Sequence, residues 1–313
     1  MTPSSKLLSA FACLSAVAIT AASGLAIPQA RAQCCVVPIP DDVTDFAVLY
    51  TGDPHNLNFT NSSVIGNIGI GDTGGFVGSG SGTITGTVKF SASNIGQFNP
   101  NGVSVTGGAT FGNANVQTNL NALNAISQSL GGEPGASLTI SGGGSVNASS
   151  GILDPGGNEV FSGTIDSSFY DRTTFTINGT SSQSVVVNIP STDGLGFDGS
   201  IVLTGGITSD HVLFNFDAGD FETLSGGDTL AIDTGGNTTT GTFLDPNGDI
   251  QIVDSAIRGR ILGGDTLDML ISGSTIVAPP PFAAPEPTSL FLLGAGLVAF
   301  GIIRRRHRPL ARP

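Results

Sequence analysis

His55 and His211 are the only imidazoles between residues 33 and 284, and a chain this poor in bases offers little to nucleophilic catalysis. No Gly-x-Ser-x-Gly elbow occurs, so neither histidine has an obvious serine to activate. His55 follows Pro54 in an expected loop and His211 opens an apolar run, which are the places of a surface residue and a strand-edge residue. Asp217, Asp220 and Glu222 lie close enough in sequence to be weighed as glycosidase carboxylates. A carbohydrate-cleaving site needs aromatic platforms, and the chain has no Trp and only two Tyr, Tyr50 and Tyr170. We expect no catalytic residue and no enzymatic activity.

Cofactor and metal patterns fare no better. Gly69-x-Gly71-x-x-Gly74 spells the dinucleotide fingerprint, but another glycine-rich strand approach follows it where a helix should begin, so it reads as a turn. Asp245-x-Asn247-x-Asp249 imitates the start of a calcium loop. Its Gly falls at 248 instead of 250, and Ala256 stands where the bidentate Glu belongs, so it reads as an Asp-Pro-Asn-Gly turn. We expect no metal and no cofactor. Two threonine series, Thr83-x-Thr85-x-Thr87 and Thr238-x-Thr240-x-Thr242, place hydroxyls on one face of a strand. An ice-binding surface needs such rows stacked over many coils, and in sequence these two are isolated.

The elements that would carry such residues are legible in the composition. Of 313 residues 46 are Gly and only 11% are charged, far below the roughly 25% of an average domain. Val, Ile and Phe are frequent enough for a core. Short β-rich runs such as Phe46–Tyr50, Thr83–Phe90, Ser137–Ile140, Thr173–Ile177, Ser184–Ile189 and His211–Phe216 are broken by Gly and Asn, and many alternate apolar with polar residues, the pattern of half-buried strands. Their spacing is irregular, although Gly-Gly-Asp-Thr-Leu recurs at 226–230 and 263–267. One segment has helical spacing instead: Val116, Leu120, Leu123, Ile126 and Leu130, with Asn115 as N-cap and Gly131-Gly132 as the stop.

Charge is partitioned sharply. Between residues 33 and 284 only Lys89, Arg172, Arg258 and Arg260 face twenty-three acids, a balance of −19. Such a body repels phosphate backbones, so no nucleic-acid partner is expected. The remaining cations sit at the ends. Lys6, an apolar stretch from Leu7 to Ala22, and Ala30-Arg31-Ala32 form a signal peptide over 1–32, with cleavage between Ala32 and Gln33. Cys34 and Cys35 then open the mature chain, and the fold does not depend on them. At the other end a Pro-rich linker, 278–287, leads to an apolar segment, 288–303, and a basic tail, 304–313. The apolar segment spans roughly 24 Å as a helix, short for a hydrocarbon core of about 30 Å. The basic cluster belongs on the cytoplasmic side, leaving the acidic body outside.

Pro285-Glu286-Pro287, a short apolar helix and Arg304-Arg305-Arg306, in that order at the C-terminus, closely resemble the PEP-CTERM sorting signal of exosortase substrates. The resemblance implies export, transient anchoring in the inner membrane, recognition by an exosortase that removes the tail near Pro285–Pro287, and release to the cell surface or extracellular space. Exopolysaccharide or other surface components are the partners it suggests.

The body, 33–277, resembles the exported choice-of-anchor A domains and, more faintly, ice-binding-type β-solenoids. The likeness is carried by Asp45–Leu49, Gly66–Gly71, His211–Phe216, Gly241–Gly248, where Asp245 replaces the usual Ala, and Ile257–Gly264. It implies a right-handed parallel β-helix with one accompanying α-helix, to which a single C-terminal transmembrane helix is added. The resulting expectation is a structural or adhesive, non-catalytic surface protein. The alternatives are a ligand-binding module for ice, polysaccharide or Ca²⁺ and, last, a hydrolase.

Overall fold

The computed structural model describes residues 39–280, apart from 53–54, 171, 191–195, 217–228, 247 and 265–267. The first turn of chain sets the pattern: Phe46–Tyr50, Asn56–Thr60 and Ser63–Ile65 are three strands separated by corners, and the next strand, Asn67–Ile70, pairs in parallel with the first. Further turns add strands to these faces, ten in all on the first and seven on the second among the described residues, so the chain winds as a parallel β-solenoid with one short antiparallel pairing, Ile152–Leu153 on Glu159–Ile165. Alternation follows from this winding. In Asn56–Thr60 the side chains of Leu57 and Phe59 are buried while Asn56, Asn58 and Thr60 are not.

The turns do not stack in chain order. The first face runs Ala109–Asn113, Val88–Ser91, Asn67–Ile70, Phe46–Tyr50, Ala256–Gly263, Thr238–Asp245, Val212–Phe216, Val185–Ile189, Glu159–Ile165 and Ala136–Ile140. The chain therefore starts in the middle, winds to one end, crosses to the other end, and winds back until its last turn seats on its first. The crossing is made by the one α-helix of the described residues, Ala114–Gly131, about 27 Å long at 1.5 Å per residue. Turn length drifts, with Ile68 stacking on Val88 but Thr238 on Ala256, which is why no strict repeat shows in the sequence.

The helix roofs the first face. Val116, Leu120, Leu123 and Leu130 are buried against Phe46, Leu49, Val186, Leu213, Leu244 and Leu262, so the strands beneath are apolar on both sides; Val185–Ile189 and Val212–Phe216 are buried at every position. A buried asparagine pair fixes the helix C-terminus. Asn215 donates to the Ser127 carbonyl and to Asn188 Oδ1, and its own Oδ1 accepts from Ser127 Oγ at 2.6 Å. Asn188 donates to the Leu130 carbonyl, satisfying carbonyls that a helix end otherwise leaves unpaired. The cap at the other end differs from expectation. Asn113, not Asn115, is the N-cap residue, and its amide bonds the Phe90 and Thr110 carbonyls instead of the helix. Gly131 lies inside the helix, and Gly132 ends it.

Inside the solenoid phenylalanines stack from turn to turn, as in Phe214 over Phe243 at 5.3 Å with Phe197 edge-on to both. Between the second and third faces runs a column of buried hydroxyls. Ser274 N donates to Ser62 Oγ, Ser255 N to Ser274 Oγ and Thr234 N to Ser255 Oγ, at 3.0, 3.1 and 2.9 Å. Each hydroxyl replaces a ladder bond that the corner breaks, and the Ser62–Ser274 step joins the two halves of the chain. Ser274→Ala leaves the Ser255 N–H buried without a partner. We expect a loss of about 1–3 kcal/mol, read as a lower urea midpoint at unchanged slope.

The corner between the third and first faces is made by glycine. The expected single run Thr83–Phe90 divides there into Gly82–Thr85 and Val88–Ser91. The long strands Thr238–Asp245 and Ala256–Gly263 pass the same corner unbroken, at Gly241 and Gly259, with φ of +147° and +155°.

Arg260 ties the two ends of the described chain together. Its buried guanidinium donates to the Thr44 carbonyl at 2.9 Å and the Pro279 carbonyl at 3.3 Å. Burial lowers its pKa, against the opposing charges of Asp210 and Asp45. Both ends thus leave from the middle of the stack. The signal peptide, Cys34 and Cys35, most of the linker, the apolar segment 288–303 and the basic tail lie outside the described residues. Among the described residues no helix is long and apolar enough to cross a membrane.

Candidate binding face

The helix covers the middle strands of the first face, while the end strands Ala109–Asn113 and Ala136–Ile140 keep exposed side chains. The second and third faces remain open, and their outward side chains differ in kind. Across the second face one row reads Asn99, Val77, Asn58, Leu270, Gln251, Ala231 and Gly196. The next reads Ser79, Thr60, Ser272, Val253 and Asp233. Its side chains are of uneven length, and Thr60 and Ser79 spend their hydroxyls on each other at 2.7 Å.

The third face is more uniform. One row runs Ser104, Thr83, Ser63, Thr275, Ala256 and Thr238 over six consecutive strands, five of six positions carrying a hydroxyl. The neighbouring row runs Thr85, Ile65, Val277, Arg258 and Thr240. Strand spacing of about 4.8 Å and a same-face repeat of about 6.6 Å along each strand turn these rows into a near-rectangular lattice of hydroxyl and methyl groups. The side-chain oxygens of the first row make no hydrogen bond within the described residues, so each is left to water or to a ligand.

The two threonine series, more than 150 residues apart in sequence, therefore belong to one surface. Ser63 and Thr275, on the two strands where the chain halves meet, fill the gap between them. Only two residues of each series take part. Thr87 lies past the glycine corner, and Thr242 is buried on the first face.

Positions considered for chemistry are dispersed. His55 is partly exposed and lies 3.5 Å from Asp268 on the second face. His211, expected at a surface or strand edge, is instead buried in a 3₁₀ turn, its Nδ1 2.8 Å from Thr208 Oγ1 and 3.5 Å from Asp210. Burial opposes ionisation of Asp210, but hydrogen bonds with His211 and Thr208 and the nearby imidazole outweigh it and hold the carboxyl at about 2. Asp217, Asp220 and Glu222 lie outside the described residues. Gly69 to Gly74 form a strand end and a turn. Asp245 is buried and accepts from the Gly248 N–H at 2.9 Å, closing its own turn. Among the described residues no cluster of three His, Cys, Asp or Glu side chains is placed to hold a metal ion.

An open lattice of short, unpaired hydroxyls is a surface for contact, and family comparison agrees. Residues 22–268 match the ice-binding-like adhesive domain family. The chain belongs to that family. Residues 283–306 match the PEP-CTERM protein-sorting motif, so the adhesive domain is that of an exported, non-catalytic surface protein handed to exosortase processing. Of the two resemblances expected for the body, the match falls on the ice-binding-like one and not on choice-of-anchor A. No curated protein matches the chain.

Among solved structures, the adhesive domain is similar to a glycosylated ice-binding protein from an Arctic yeast, at 15% identity and TM-score 0.48 over 81% of this chain and 96% of that one. It is also similar to an ice-binding protein of the Antarctic ascomycete Antarctomyces psychrotrophicus, at 12% identity and TM-score 0.46 over 78% and 98%. A Shewanella frigidimarina ice-binding protein gives 12% identity and TM-score 0.44 over 78% and 98%. These likenesses are too distant to carry an argument about what this chain binds.

Proposed function

We propose that the protein is a surface adhesin that lays the third face of its solenoid against an extended, ordered ligand. The observation that supports this reading is the six-strand hydroxyl row from Ser104 to Thr238, flat, unpaired and distinct from the mixed second face. The solenoid is read as right-handed, the hand that parallel strand crossovers almost always take. The signal peptide 1–32 directs export. The segment 288–303 holds the chain in the inner membrane until the exosortase cuts near Pro285–Pro287, after which the acidic body joins the cell surface or its exopolysaccharide matrix, including that of a biofilm.

Ice is the second reading of the ligand, favoured by the family's ice-binding-like character and by the methyl and hydroxyl lattice. Against it stand Ile65 and Arg258, which break the regularity of the neighbouring row. A single experiment separates the face from its alternatives. Thr83→Tyr combined with Thr275→Tyr raises two bulky groups at the centre of the third face, while Asn58→Tyr does the same on the second. We expect the double variant to lower adhesion to ice or to polysaccharide-coated surfaces by about tenfold or more, as loss of central contacts does, with Asn58→Tyr near wild type. The reverse pattern would move the site to the second face.

A further inference from the structure

We propose that Arg258 and the groove beside it form a carboxylate-binding subsite that takes a uronate-bearing polysaccharide. The inference rests on the third face being the binding face and names the chemistry of its ligand. Four cations stand in the body, and three are committed. Lys89 lies over the Phe46 ring at 5.3 Å, Arg260 is buried on the Thr44 and Pro279 carbonyls, and Arg172 has a partner of its own. Arg258 is exposed and makes no hydrogen bond, ion pair or ring contact among the described residues. A guanidinium left unpaired on a body carrying −19 is unusual, because twenty-three acids were available to pair with it.

Its position adds the rest of a site. Arg258 stands between Val277 and Thr240 in the lattice, at one side of a groove of about 530 Å³. The groove opens where the strand Ser200–Thr204 packs beside Thr238–Asp245 without continuing its ladder. Ile201 N bonds the Thr239 hydroxyl at 3.0 Å in place of a backbone partner. Val202, Leu203 and Ile207 give one wall an apolar surface, and Thr238 and Thr240 supply hydroxyls, that of Thr208 being bonded to Asp210 and His211. An apolar wall suits the C–H face of a pyranose, the threonines suit its hydroxyls, and the planar fork of Arg binds a carboxylate through two parallel hydrogen bonds. Ice has no carboxylate to offer, and a neutral glycan would leave the guanidinium unused. Because the acidic body repels polyanions elsewhere, a uronate retained here is retained by these short contacts.

The test uses the full chain in detergent, titrated calorimetrically with trigalacturonate, its methyl ester and neutral maltotriose. The tail arginines are common to every variant, so differences between variants report the body. We expect Arg258→Gln to weaken trigalacturonate binding about tenfold or more, the usual worth of hydrogen bonds to a charged group. Arg258→Lys should recover only part, since a point charge lacks the fork. Arg172→Gln, which removes the same charge elsewhere, should bind as wild type, and unchanged melting of each variant shows that folding is not the cause. Equal binding of acid and ester, or full binding by Arg258→Gln, overturns the subsite. If the Thr83→Tyr, Thr275→Tyr variant still loses adhesion in that case, the face stands and only the uronate falls. Tighter binding of an acidic hexapeptide than of trigalacturonate would assign the arginine to a protein partner instead, and so would also overturn it.

Discussion

Gly259→Ala should cost the fold about 3–5 kcal/mol, enough to leave a domain of ordinary stability largely unfolded. Gly259 turns the corner between the third and first faces at φ +155°, and a Cβ there would lie 1.6 Å from the carbonyl oxygen of Gly241 in the next turn. That neighbour is backbone, so no side-chain rotation relieves the clash; the coils must separate. They separate at the worst place, because Ala256–Gly263 carries eight paired positions on one side and the seam to Phe46–Tyr50 on the other. Gly143→Ala is the control. It also has positive φ, at +76°, but meets nothing within 4 Å, so only the backbone preference of about 1–2 kcal/mol is at stake. Urea melts followed by circular dichroism decide the matter. A Gly259→Ala midpoint close to that of Gly143→Ala would show that the corner has room to give.

Replacing Pro285-Glu286-Pro287 with alanines should abolish processing altogether, an all-or-none effect on mass. The substitution leaves the apolar segment 288–303 and its basic flank unchanged, so insertion should be unaffected. What it removes is the motif within the matched sorting segment. In the native host, wild-type protein is expected to begin at Gln33 and to end near residue 287. The variant should accumulate in the inner membrane with residues to Pro313 intact. Intact-mass measurement of surface and membrane fractions tests both halves of the expectation. Wild-type protein at the surface with its tail attached would mean that the segment is a permanent anchor. Arg260 pins Pro279 to the body, so only the five residues 280–284 lie between that anchor and Pro285.

Much of this molecule is local information and reads directly from the chain. Alternation marks Asn56–Thr60 and Thr174–Asn178 as strands because the side-chain period of a strand is two, and the Val116–Leu130 stripe marks a helix because its period is near 3.6. The sorting motif is equally local, since machinery reads it as a linear signal. The lack of a Gly-x-Ser-x-Gly elbow, the two scattered histidines of the body and the absence of Trp are likewise read from the sequence alone.

What tertiary structure alone decided is adjacency. A solenoid that starts in its own middle places residue 275 beside residue 63 and residue 258 beside residue 277, and no periodicity in the sequence announces a stack whose turns vary in length and whose order is permuted. Thr83 and Thr238 look like isolated β-formers until Ser63 and Thr275 fill the row between them. Arg260 and Arg258, two residues apart and on the same side of one strand, part company at the Gly259 corner, which sends the first under cover as a staple and leaves the second exposed on the third face. Local pattern fixes which residues are strands, because it depends on bonded neighbours. The make-up of the third face depends on which turns touch, which is set by the helix crossing and the closing of the last coil onto the first.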